Sequence, residues 1–393
     1  GWFYSLIVIS TFLEGCAPYK NVLVNDLVLD KFGQKMHKSK GNAVEPFSVL
    51  HKYGADATRF YMLYASPVWT PLKFDEDGIK EIQSKTFSTL KNTYTFFQMY
   101  ANADNLDPKD FEVAYEDIDE IDKWLLSKYN KLVEYVTEAM DEYDLNKATR
   151  AINNFLNEDL SNWYIRRNRR RFWGSELNNS KKAVYQTTYQ VLEGLCRLMA
   201  PISPFITEEI YRNLTGCESV HLADYPVVDK TKYQDKIEEK MDLVRDLISL
   251  GRNAREERKL RVRQPLSEIL IDGKNARLIG NLTSLIMEEL NVKKVTFVTD
   301  PENYINYTVK PNFKVVGKIF GSKMSAFQKA LLTLSPDDIK KVQNNESIKL
   351  TIDEKEYDIY SDMVDIRIEA KAGFDALMEN NNFIILNTSL TKD

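Results

Sequence analysis

Residues Asp144 to Gly174 read DLNKATRAINNFLNEDLSNWYIRRNRRRFWG, and this stretch decides the fold. Leu145, Ala148, Ile152, Phe155, Leu156, Leu160 and Trp163 recur at helical intervals, which wind into one broad apolar stripe. Asp144 stands ahead of the stripe as an N-cap, its carboxylate placed to accept amides that a first helical turn leaves unbonded. The predicted helix runs directly into an arginine-rich segment and ends near Gly174.

The same periodicity extends in both directions. Upstream, Leu125, Tyr129, Leu132, Val133, Val136 and Met140 mark a second amphipathic helix, and Ile79, Ile82, Leu90, Tyr94 and Phe97 mark another across Gly78–Tyr100. Downstream, a helix spans Ser180–Met199 and stops at Pro201, where Ser203 and Pro204 supply an N-cap and first-turn proline for a helix through Leu214. Lys236–Lys259 is helical again, until Gln264-Pro265 breaks it. Long helices joined by short breaks predict a bundle over residues 76–265. Asp104–Asp122 interrupts the pattern with nine acids against one lysine, a net of −8, and reads as a solvated linker facing away from any polyanion.

Two flanks differ in texture. Residues 1–75 read as α/β: Trp2–Phe12 is apolar, Asn21–Asp30 carries two short β-branched runs, and Asp30–Gly41 is a polar loop. In residues 266–393 strand-like runs at Ile269–Ile271, Val295–Val298, Ser347–Ile352, Val364–Ile368 and Phe383–Leu386 alternate with helical ones at Asn275–Leu290 and Ser322–Leu334. The predicted fold class is therefore mainly α: a helical bundle preceded by an α/β segment and followed by a small α/β domain.

Composition bounds the function. At 393 residues the chain has room for two or three domains, and its net charge of −5 removes an overall basic surface as an argument for nucleic-acid binding. Any such surface must be local. Cys16, Cys196 and Cys217, with His37, His51 and His221, lie too far apart to suggest a disulfide framework or a zinc site. Trp2–Leu13 is shorter than a membrane span and has no basic segment before it, which points to a reducing, cytoplasmic compartment. Because the chain opens at Gly1 inside an apolar run, it reads as part of something longer.

Three constellations carry chemistry. Gly33–Asn42 places Lys35, Lys38 and Lys40 on a flexible loop, and such cations act where negative charge concentrates during phosphate transfer. Asn162–Trp173 holds five arginines and no acid between two tryptophans. Guanidinium pairs with phosphate, and it stacks on unpaired bases as aromatic rings do. The alternative for the arginine strip is a helix C-terminus whose cations answer the macrodipole. Arg252–Arg263 carries six cations and two acids; it suits RNA backbone or a solvated helix face equally.

Lys35-Met36-His37-Lys38-Ser39 resembles the Lys-Met-Ser-Lys-Ser signature of class I aminoacyl-tRNA synthetases, with His37 in place of the family's first serine. Gly1-Trp2-Phe3-Tyr4, Asn21–Asn25 and Tyr53-Gly54-Ala55-Asp56-Ala57-Thr58-Arg59 resemble the end of that family's catalytic domain, and Leu198–Glu209 resembles a landmark of its anticodon-binding bundle. Among the subgroups, the isoleucyl enzymes match best, with valyl or leucyl relatives as the alternative.

The resemblance implies a C-terminal portion of such an enzyme, in three segments. Residues 1–75 would be the remnant of a Rossmann-type catalytic domain, 76–265 the anticodon-binding domain and 266–393 a C-terminal α/β domain. Lys38 would contact the phosphates of ATP, supported by Lys35 and Ser39, with Mg accompanying the nucleotide and no zinc in this part. Trp2 would line the amino-acid pocket, and Arg166, Arg167, Arg169, Arg170, Arg171 and Trp173 would meet tRNA. The implied partners are tRNA(Ile), isoleucine and ATP, with a monomeric enzyme and no membrane. The family's His-x-Gly-His signature and editing domain have no match here, so this portion would be inactive alone; the reading from another class is a stand-alone tRNA-binding module.

Overall fold

The structure, a computed structural model, describes residues 1–379 and 382–388. They fall into two compact units, divided between residues 237 and 238. No helix among the described residues is long and apolar enough to cross a membrane.

The first unit is helical. Its opening helix, α1 (Trp2–Glu14), buries none of its residues. Of the β-branched runs at Asn21–Asp30, only β1 (Val28–Leu29) forms a strand. Val22, Leu23 and Val24 stay exposed, without the neighbouring strands that make such a run a sheet. After the polar loop come α2 (Pro46–Tyr53) and α3 (Ala55–Ala65), and then β2 (Leu72–Lys73), which pairs parallel with β1.

The bundle begins with α4 (Glu76–Ile82) and α5 (Ser88–Ala103), joined through a wide π-type turn at Gln83–Phe87. It continues with α6 (Glu120–Asp141), whose buried residues include Leu125, Tyr129, Leu132, Val133 and Val136 as the spacing predicts. Burying each large apolar side chain contributes roughly 1.5–3 kcal/mol. Asp144 caps the next helix by accepting the Lys147 amide. From there the chain stays helical through α7 (Leu145–Asn154), a π-type stretch at Phe155–Ile165, and α8 (Arg166–Trp173). Two threonines brace the π-type segments, Thr86 donating to Asn153 and Thr89 to Asn157.

Two more helices, α9 (Asn179–Met199) and α10 (Pro204–Thr215), complete the bundle at the expected break around Pro201. α9 approaches α6 through Gly194: a Cβ there would lie 1.8 Å from the Tyr129 hydroxyl.

Asp104–Asp122 is largely solvated as expected, but it is fastened to the bundle and is not a free linker. Val113 and Ile118 are buried, and the Val113 amide and carbonyl both bond the Gln186 side chain. Most of its acids face solvent, while Asp104, Asp119 and Asp122 pair with cations of the bundle described below.

A long helix, α11 (Asp235–Glu257), leads into the second unit. There β3 (Ile269–Asp272), the short α12 (Ala276–Ile279), α13 (Thr283–Leu290) and β4 (Val295–Val298) follow the expected alternation, broken at Gly280. Then come β5 (Ile305–Pro311), α14 (Phe313–Phe320), α15 (Met324–Leu331), α16 (Pro336–Gln343), β6 (Ile348–Ile352), β7 (Lys355–Ile359), β8 (Val364–Ala370), β9 (Phe374–Glu379) and β10 (Asn382–Asn387). One sheet has the order β4-β3-β10-β9, with β3 and β4 parallel; β5 with β8 and β6 with β7 form antiparallel pairs. Three strands were not among those expected: β7 is largely polar and β9 does not alternate, whereas β5 alternates from Ile305 to Pro311 and was legible.

Candidate functional site

The lysine loop is closed at its base by two side chains. Asp30 accepts the amides of Phe32 at 3.0 Å and Gln34 at 2.8 Å on one carboxylate oxygen, and the Asn42 side-chain amide at 2.9 Å on the other. Asn42 also donates to the Lys35 carbonyl and accepts the His37 amide. These bonds, the Gln34 amide foremost, hold the Asp30 carboxyl below the usual range for an aspartate. Lys38–Lys40 makes a single tight turn, which Gly41 ends in the left-handed region at φ 70°.

The turn faces solvent. Lys35, Lys38, Ser39 and Lys40 are exposed, and none of the three lysines has a carboxylate partner among the described residues. An unpaired ammonium keeps its full attraction for an incoming polyanion. Asp30 and Asn42, which shape this loop, were missed in sequence; an Asp and an Asn flanking a Gly-bounded polar loop are the signal that points to them.

Both ends of the loop are tied to the bundle's entry. The β1–β2 pairing holds its upstream end. At its downstream end Glu76, in the first turn of α4, accepts the Lys52 ammonium at 2.8 Å and the Tyr53 hydroxyl at 2.6 Å from the end of α2. One turn further on, α3 grips the break between α9 and α10. Asp56 accepts the amides of Phe205 and Ile206 at 3.3 and 2.7 Å, while Arg59 donates to the carbonyls of Ile202 and Pro201 at 2.9 and 3.1 Å. Ser203 stands at the N-cap position with Pro204 after it, as expected, but the side-chain cap of α10 comes from Asp56 across the fold, the buried Ser203 hydroxyl having no hydrogen-bond partner among the described residues.

The arginine strip divides by helix face. Arg166, Arg169, Arg170 and Trp173 are exposed, and their spacing of three, four and seven residues puts them on one face of α8. Trp173 lies beside Tyr100, ring centroids 6.4 Å apart, while its neighbour Phe172 is buried between Phe96 and Tyr185. Arg167 is half-buried on the flank.

Arg171 points inward. Its two terminal nitrogens meet the two oxygens of the fully buried Asp122 at 2.8 and 2.7 Å, and they also donate to Asn168 and the Ser180 carbonyl. Asp119 adds a second carboxylate at 3.1 Å, and the Tyr164 hydroxyl donates to Asp122. The buried Lys181 pairs with Asp104 in the same way. Acids of the supposed linker therefore anchor the base of the strip.

Trp2 is exposed on α1 and stacks on Phe3 at 4.1 Å. No hydrogen bond or ring contact among the described residues joins it to Lys35, Lys38 or Ser39. The loop and the arginine strip are likewise separate sites, related only through α2, α3 and the bundle.

Comparison with known proteins adds sequence relationships to this geometry. Residues 1–75 match the model of class I tRNA synthetases for I, L, M and V, and residues 122–270 match that of the anticodon-binding domain of tRNA ligases. All of this chain aligns with the isoleucine–tRNA ligases of Cytophaga hutchinsonii at 41% identity and Clostridium novyi at 40%. The chain spans 36% and 38% of the length of those two relatives. Among solved structures, a ternary complex of LeuRS from Agrobacterium radiobacter with tRNA and LeuAMS is similar to 59% of this chain, at 23% identity and a TM-score of 0.45 over 27% of that protein, too partial a likeness to define a shared fold.

Proposed function

We propose that this chain, which aligns end to end with isoleucine–tRNA ligases, is part of a class I tRNA synthetase that activates isoleucine with ATP and transfers it to tRNA(Ile). Residues 1–75 close the catalytic domain, 76–265 bind the anticodon arm and 266–393 follow as an α/β domain. The enzyme acts as a monomer in the cytoplasm.

The observation that carries the reading is the pinned loop with its unpaired lysines. In adenylate formation a carboxylate oxygen of the amino acid bonds to the α-phosphorus, the bond to the β-phosphate oxygen breaks, and pyrophosphate leaves with the charge. Lys38, supported by Lys35 and Ser39, stabilises that charge as it moves onto the leaving group. Asp30 and Asn42 hold the loop's base while its tip follows the phosphates. Mg bound with the nucleotide would share in neutralising the phosphate oxygens; no residue of this chain is assigned to hold it. Trp2 forms a wall of the amino-acid pocket, an indole being a rigid apolar surface. Arg166, Arg169, Arg170 and Trp173 meet tRNA, with Arg167 at the edge of that face, while Arg171 holds the helix in place.

Replacing Lys38 with Ala in the full-length enzyme tests this. Isoleucine-dependent pyrophosphate exchange should fall by roughly 10²–10³-fold with tRNA affinity unchanged. An unaltered exchange rate refutes the role of Lys38, and charging with valine or leucine in preference to isoleucine refutes the substrate.

A further inference from the structure

Six cations lie between Arg252 and Arg263, and the structure divides them into two groups of three. Arg252 pairs with the buried Glu289, Arg258 lies 3.2 Å from Asp375, and Arg255 is buried at 1% exposure. Lys259, Arg261 and Arg263 are exposed and have no carboxylate partner among the described residues. The solvated-face reading of this segment treats the six alike, and they are not alike.

Arg255 is the unusual member. Its guanidinium meets no carboxylate among the described residues; it donates to the carbonyls of Arg261 and Gln264 at 3.1 Å each and to those of Leu290 and Asn291 at the end of α13. Burying an arginine without a counter-ion opposes folding unless its donors are met, and here carbonyls meet both terminal nitrogens, Nε alone having no partner among the described residues. Asn291 completes the set, its side-chain amide donating to the carbonyls of Val262 and Arg263 at 3.1 Å each. Two side chains thus capture four consecutive carbonyls, Arg261 to Gln264, and the Gln264 amide closes the turn on the Arg261 carbonyl at 2.9 Å.

The consequence is electrostatic. With its carbonyl oxygens held inward, the turn offers solvent three cations in five residues and no acid. The amides of Arg261, Val262 and Arg263 have no intramolecular acceptor among the described residues. A rigid turn showing ammonium, guanidinium and unpaired N–H groups is complementary to phosphate.

We propose that Lys259–Arg263 is a preformed phosphate-binding turn that holds the sugar–phosphate backbone of RNA, in addition to the arginine face on α8. Its contacts are to phosphate and therefore independent of base sequence. The identity of the RNA as tRNA rests on the synthetase reading above.

The test uses the full-length enzyme carrying Lys259→Gln, Arg261→Gln and Arg263→Gln together, with filter binding of a tRNA(Ile) transcript and of an unrelated tRNA across a salt series. Each lost phosphate contact lowers the slope of log affinity against log salt by roughly 0.7–0.9. The triple variant should lose about 2–3 from that slope on both RNAs, and pyrophosphate exchange, which needs no RNA, should stay at the wild-type rate. A wild-type slope in the triple variant overturns the proposal, including the case in which the turn serves an acidic protein instead. Asn291→Gly keeps every charge and the left-handed backbone while freeing two carbonyls; weaker RNA binding at an unchanged slope is expected, and unchanged binding refutes the preformed geometry. If the wild-type enzyme binds tRNA yet charges no isoleucine, the synthetase reading fails while the turn stands.

Discussion

Arg171 and Asp122 meet edge to edge, both terminal nitrogens on both carboxylate oxygens at 2.8 and 2.7 Å, inside a helical bundle where Asp122 is wholly buried. In sequence Arg171 is one of five similar arginines; in the structure its neighbours Arg169 and Arg170 face solvent. The pair ties the end of an acidic segment of net −8 to a helix rich in arginine. Asp119 and Asp122 form a capping box at the start of α6, so the same acids end one helix's exposed amides and fix the orientation of another.

Stability and RNA affinity should therefore separate along α8. Arg171→Ala leaves the Asp122 carboxylate buried and unpaired, and the loss in urea-unfolding free energy should be about 3–5 kcal/mol. Arg169→Ala and Arg170→Ala should change stability by no more than about 0.5 kcal/mol and weaken tRNA binding instead. Equal destabilisation by all three would contradict the division of the helix into two faces.

Trp173 reports directly on that exposed face. Its indole is about half exposed beside Tyr100, an arrangement on which an unpaired base can stack. Adding tRNA should quench part of the tryptophan emission, and Trp173→Phe should remove that part while retaining the fold. Quenching that survives the substitution would assign it to another of the five tryptophans.

Asp56 and Arg59, one turn apart on α3, grip opposite polarities of the same backbone break. Losing a capping carboxylate costs about 0.5–2 kcal/mol, which sets the stability change expected for Asp56→Ala. Arg59→Lys keeps the charge but not the fork that reaches two carbonyls, so it should behave like Arg59→Ala in thermal unfolding. Full rescue by lysine would show that charge alone suffices.

How much of this was legible depended on the range of the interaction. The stripe from Leu145 to Trp163 and the break at Pro201 follow from local spacing, and both appear where the spacing puts them. Ser203 holds the N-cap position that local spacing assigned to it, but the capping carboxylate of Asp56 arrives from about 150 positions away, and no local pattern announces it. The solvation of the acidic segment was legible, seven of its nine acids being exposed, but the pairing of Asp104, Asp119 and Asp122 with Lys181 and Arg171 was not. Strands at Asn21–Asp30 required neighbours, and among the described residues β1 pairs with β2 and, through a single bridge at Leu29, with Lys35.

The loop's anchorage carries a pH signature whose sign follows from Glu76. Hydrogen bonding by Lys52, then by Tyr53, holds the Glu76 carboxyl below its ordinary value. The folded state thus binds this proton less readily than the unfolded chain does. The stabilisation is complete above the unfolded glutamate value of about 4.3 and is lost as pH falls through the lower folded value. Asp30, depressed by its bonds to Gln34 and Asn42, acts in the same direction. Hydrogen exchange over residues 46–53 should therefore show a protection difference between wild type and Glu76→Gln that is constant from about pH 5 to 7 and shrinks on acidification. A difference that grows as pH falls would mean that Glu76 is held in its protonated form, and the link from α2 to α4 would need another explanation.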